Sequence, residues 1–265
     1  MTDSGKPDFD PTEVRMTFGE HLEELRRRLW KALLALAVCF GVAIYFYGDL
    51  VRFITRPHFL AMHLLNQPPE SSRLLSGSYP GPIGAILKLA FIVGCFGASP
   101  VILYQFWKFV NAGLYPRERR WVATFGVASF VLFVGGCVFG YLVLIPYTLY
   151  GLAKAATIDV ISPTYTFSDY LSLVMTLTII MGVVFEMPLV MLFFAKIGIT
   201  SASTYNKWRR YAIVGNFILA ALLTPADVLS MLVMVVPLLF LYEVGVLLSW
   251  ILVKKPKSRV ETAAA

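Results

Sequence analysis

Phe18-Gly19-Glu20-His21-Leu22-Glu23-Glu24-Leu25-Arg26-Arg27-Arg28-Leu29 interleaves acids, bases and leucines, then runs into an almost wholly apolar stretch, Leu29 to Tyr47. Thr17 and Glu20 stand at capping-box spacing with Thr17 as the cap, so a helix begins here. Leu22, Leu25 and Leu29 share one face of it at helical spacing. Glu23 and Glu24 precede Arg27 and Arg28 by one helical turn, the favourable order for side-chain pairs on a helix. The apolar continuation has the length of a membrane crossing, which takes about 20 residues for ~30 Å of hydrocarbon. A charged helix held at a membrane surface and leading into a span sets the class of the chain: an all-α membrane protein.

The composition agrees. Of 265 residues, 58% are hydrophobic, and the mean hydropathy is +0.71; a soluble domain is nearer half apolar. The net charge of +7 suits a neighbour of anionic lipid headgroups. Nucleic acid is not expected as a partner, because the bases sit at span ends rather than in one patch. Cys39, Cys95 and Cys137 fall inside apolar runs and read as packing residues, with no disulfide framework or metal spacing. Residues 1–28 are polar, so no cleavable signal peptide is expected ahead of the first span.

Six apolar segments are expected to be transmembrane helices: 29–47, 84–109, 122–146, 169–196, 211–224 and 229–251. The fifth is short, closed by Arg209-Arg210 before it and Pro225-Ala226-Asp227 after it; at ~1.5 Å per residue it reaches about 21 Å. Pro237 should kink the sixth. Basic residues set the orientation. Arg26, Arg27, Arg28, Lys31, Lys108, Arg117, Arg119, Arg120, Lys196, Lys207, Arg209, Arg210, Lys254, Lys255, Lys257 and Arg259 fall on one side. The other side has Arg52, Arg56, Arg73, Lys88 and Lys154. Both termini are therefore expected in the cytoplasm. Residues 1–16 and 253–265 are expected to be flexible tails around a 17–252 transmembrane domain. Outside, Phe53, Ile54 and Phe59 suggest a short surface helix ahead of a Pro-rich loop, and Thr166 or Ser168 can cap the fourth span.

Three carboxylate-bearing features attract chemistry. Glu23 and Glu24 are either halves of local ion pairs or receivers of a partner's guanidinium, which can bind a carboxylate bidentately as lysine cannot. Glu118 stands among Arg117, Arg119 and Arg120, either as a neutralising acid in a membrane anchor or as a second such receiver. Glu186 lies near the middle of the fourth span, followed by Pro188; a carboxylate at that depth usually faces a cavity or polar partner, for which Gln105, Thr176 and Thr178 are open choices. Glu243 raises the same question in the sixth span. No nucleotide-binding loop and no Gly-x-Ser-x-Gly elbow occurs, and His21, His58 and His63 all lie outside the spans, where surface positions are expected. An enzyme, a metal site and a cofactor are not expected.

His21-Leu22-Glu23-Glu24-Leu25-Arg26 resembles the N-terminal signature of the TatC family, the multispanning core of the twin-arginine translocation system. Ser99 to Trp107, Leu114 to Arg120, Phe185-Glu186-Met187-Pro188 and Leu223 to Val228 are similar to further stretches of that family, in the same order. The resemblance covers about residues 17–252. It implies a receptor for signal peptides carrying paired arginines, with Glu24 and Glu118 as the two carboxylates. Arg26, Phe109 and Arg119 fall at positions that help to form that surface. Glu186, with Gln105 facing it, is implied in contacts with single-span partners of the TatA and TatB types. Asp227 matches the acid of the last outside turn, and Pro57 and Pro100 match prolines read as structural. The implied fold is a concave bundle of six helices with short fifth and sixth members. The implied setting is the bacterial inner membrane, with further copies of the same subunit and the proton-motive force as energy source. The rival reading is a secondary transporter of a small solute with Glu186 as proton relay.

Overall fold

The computed structural model describes residues 18–65, 73–112, 122–156, 165–224 and 228–253. They form ten α-helices and no strand: α1 Phe18–Tyr45, α2 Tyr47–Ile54, α3 Arg56–Leu64, α4 Gly81–Ala112, α5 Val122–Phe139, α6 Ile145–Ala156, α7 Phe167–Val184, α8 Met187–Lys196, α9 Ala202–Leu223 and α10 Val228–Leu252. The charged segment and the first span are one continuous helix, α1. Among the described residues, five stretches are long and apolar enough to cross a membrane: Gly19–Tyr45, Gly81–Val110, Thr124–Lys154, Phe167–Lys196 and Val228–Leu252.

The expectation of short fifth and sixth helices needs correction. The helix holding the fifth apolar segment, α9, has 22 residues, and α10 has 25. Only the apolar part of α9 is short: the helix starts a turn and a half before Lys207, Arg209 and Arg210, with Ser201 as its N-cap. Those three bases keep α9 out of the set of apolar spans. Pro237 does not end α10, which continues through it.

Proline shapes two other spans. Pro188 has no N–H to give the turn before it. The ladder therefore shifts at Phe185-Glu186, where Glu186 N bonds to Val183 O at 3.1 Å, and α8 restarts with both Leu189 N and Val190 N on Glu186 O. In the third span, a five-residue π turn, Gly140–Leu144, precedes Pro146 and joins α5 to α6.

Helix α1 packs on α4, and the two backbones come close at Gly94, where a Cβ would lie 3.0 Å from the Phe40 backbone. Its other faces expose Leu29, Leu33, Leu34, Val38 and Val42, apolar surface suited to lipid. The main core joins α4, the π turn and α6 to α7 and α10 through Leu89, Leu144, Ile145, Leu171, Val174, Met181, Met234 and Leu238. A second cluster, Trp107, Phe125, Leu189 and Leu192, locks the end of α4 to the start of α5 and to α8. The surface segment expected after the first span is two helices, α2 and α3. Leu75 pairs with the start of α7 by Leu75 N to Tyr165 O at 2.9 Å and Phe167 N to Leu75 O at 2.8 Å. Thr166 caps α7, its hydroxyl accepting from Asp169 N at 3.2 Å.

Candidate functional site

The head of α1 meets the tail of α4. Leucine, acid and base recur at helical spacing on α1, so His21, Glu24 and Arg28 share the face turned to α4. His21 stacks on Phe109, ring centroids 4.4 Å apart. Glu24 is 8% exposed. The Nη2 of Arg28 donates to Glu24 Oε1, and the Arg28 Nη1 lies 3.5 Å from Gln105 Oε1. Lys108 lies over the ring of Tyr104 at 5.5 Å. The arrangement is a buried carboxylate with one oxygen engaged. The other, Oε2, is buried without a hydrogen-bond partner among the described residues. A buried acceptor left open is costly, so the site is suited to a cationic donor such as a guanidinium.

Of the residues predicted for this surface, Glu24 and Phe109 come together, and Arg26 is exposed on α1 nearby. Glu118, Arg119 and Asp227 lie outside the described residues. Arg28 is the local ion-pair partner that the four-residue spacing offered Glu24; His21, expected only as a surface residue, stacks on Phe109 instead. Gln105 was expected opposite Glu186; its described contact is with Arg28.

Glu186 occupies the turn between α7 and α8. The Ser129 hydroxyl on α5 faces its carboxyl group. Glu186 Oε1 and Ser129 Oγ are both buried without partners among the described residues. Thr178, one of the expected partners, instead donates to Val174 O at 2.7 Å, and Thr176 is exposed. Glu243 is ion-paired with Arg209 of α9, both side chains half exposed.

Between α2, α3, α4, α5 and α7 lies an open apolar groove of about 790 Å³, lined by Phe53, Pro57, Ile92, Phe96, Phe133 and Met175 among others, with Arg56 and Tyr141 at its polar edge. Pro57 is buried in the first turn of α3. His58, expected on the surface, is 1% exposed. Tyr165 and Tyr170 lie edge-on to its ring, 5.6 and 5.4 Å between centroids.

A family model described as Sec-independent protein translocase protein (TatC) matches residues 20–237. The chain is 38% identical over 245 residues to the Sec-independent protein translocase protein TatC of Koribacter versatilis, covering 92% of this chain and 88% of that one. It is 37% identical over 241 residues to the protein of the same name from Escherichia coli K12, covering 91% of each. Among solved structures it is similar to the crystal structure of a twin arginine translocase receptor, TatC. The TM-score is 0.73 at 31% identity, covering 88% of this chain and 100% of that one.

Proposed function

The chain belongs to the TatC family of Sec-independent protein translocase proteins, and from that membership we propose that it is the receptor of a twin-arginine translocase. A signal peptide's paired arginines dock at the head of α1 and the tail of α4, one on Glu24 and the other on Glu118. The observation that carries this reading is Glu24: a buried carboxylate whose Oε2 has no partner among the described residues. The apolar part of the peptide then lies in the groove between α3, α4, α5 and α7.

The chain crosses the inner membrane six times, α9 making the fifth crossing through its apolar second half, and both termini face the cytoplasm. In support, Arg26, Arg27, Arg28, Lys31, Lys108, Lys196, Lys207, Arg209 and Arg210 gather at the bundle end that holds the head of α1 and the tail of α4. TatA- and TatB-type single-span subunits meet the bundle near Glu186, further copies of the receptor join it, and the proton-motive force drives transport. The transporter alternative gains no support from Glu186, whose Oε1, like Ser129 Oγ, has no hydrogen-bond partner among the described residues.

The test is binding of a synthetic twin-arginine signal peptide to the purified chain in detergent, against the same peptide with both arginines changed to lysine. The arginine peptide should bind at least tenfold more tightly, a difference of about 1.4 kcal/mol. Equal binding of the two would remove the receptor reading.

A further inference from the structure

Arg28 lies one turn beyond Glu24 on α1, and its guanidinium already holds the carboxylate that a cargo arginine has to reach. The pair is not an ordinary surface pair. The two side chains are only 11% and 9% exposed, so little water competes for them. Neither partner is saturated: Glu24 Oε2 and Arg28 Nε are both buried without hydrogen-bond partners among the described residues. A guanidinium can offer a flat fork to both oxygens of a carboxylate. Arg28 does not. It gives Nη2 to Glu24 and turns Nη1 toward Gln105 Oε1, 3.5 Å away on α4.

We propose that Arg28 is an internal stand-in for the cargo arginine. It occupies Glu24 in the empty receptor and is handed to Gln105 when a cargo guanidinium takes the carboxylate through Oε2. This rests on the reading of Glu24 as the receiver of a cargo arginine. Because Arg28 already touches both acceptors, the hand-over needs only a side-chain rotation. Without a resident cation, the empty site would hold a buried and unpaired carboxylate, which is strongly unfavourable. The second acceptor matters for the same reason, since the displaced guanidinium is itself buried. Gln105 is neutral and a weaker acceptor than a carboxylate, so the exchange proceeds only when the incoming group binds Glu24 well.

Selectivity follows. The ligand must outcompete an arginine, and a lysine ammonium is a point charge that lacks the fork. Displacing Arg28 costs every ligand the same, so Arg28 sets how strongly a cation must bind, and the fork offered to Glu24 sets the preference for arginine over lysine.

The experiment measures affinities of the twin-arginine and twin-lysine peptides for the full chain in detergent, as wild type, Arg28→Gln, Arg28→Lys and Gln105→Leu. Arg28→Gln removes the competitor. It should tighten both peptides about tenfold. Arg28→Lys, which keeps the charge, should shift both affinities the same way by less, and it remains readable if Arg28→Gln does not fold. Gln105→Leu removes the receiving acceptor and should weaken the arginine peptide. Weakened or unchanged binding of the arginine peptide in both Arg28 variants would overturn the stand-in while leaving the receptor reading intact. Failure of wild type to prefer the arginine peptide would overturn both.

Discussion

The imidazole of His21 lies nearly flat on the ring of Phe109, centroids 4.4 Å apart and planes inclined by 24°. His21 and Glu24 are three residues apart on one helix and so share a face. The stack therefore fixes where the Glu24 carboxylate points relative to α4. Phe109→Ala should cost about 1 kcal/mol of stability, the size of one aromatic contact. It should also weaken binding of a twin-arginine peptide, while Phe109→Tyr retains both properties. Thermal melting in detergent and peptide titration check this pair of outcomes.

Helices α5 and α7 approach too closely for any side chain at Gly136. A Cβ there would run into the Met181 carbonyl oxygen and come within 2.8 Å of Phe185 Cβ. The neighbouring Gly135 has open space. Gly136→Ala should lose about 1–3 kcal/mol through overpacking, and Gly135→Ala should be near neutral. The comparison of their melting temperatures isolates the helix contact from the general effect of replacing glycine.

Pro188 sets the break that turns Glu186 toward Ser129. Pro188→Ala restores an amide donor and favours a continuous helix from α7 into α8. If Glu186 meets the single-span partners, Pro188→Ala and Glu186→Leu should both lower export severalfold while peptide affinity stays at the wild-type level. Co-purification with the partners and peptide titration report the two properties separately. Lost peptide affinity in Glu186→Leu would move Glu186 into the peptide site instead.

The spans were legible because apolar runs of membrane length carry a strong signal, and the Glu24–Arg28 pair because its partners are one turn apart. What escaped depended on distant contacts. Gln105 meets Arg28 across 77 positions, and no local pattern announces that. His58 looked like a surface residue because the rings of Tyr165 and Tyr170 that cover it lie more than 100 positions away in the chain. Glu243 seemed an isolated intramembrane acid until α9 and α10 packed side by side and brought Arg209 to it. The shortness of the fifth segment was read from its apolar residues alone; the helix extends past them, because Ser201 caps it and helix-forming polar residues continue it.

The central claim is that Glu24 and Glu118 each read one arginine of the cargo. The most direct measurement is a double-mutant cycle in binding: Glu24→Gln and Glu118→Gln receptors, each against peptides with one or the other arginine changed to lysine. The account predicts that each carboxylate couples strongly to one arginine, by about 2 kcal/mol or more, and weakly to the other. Additive effects in every combination would contradict it and remove these carboxylates as the arginine reader.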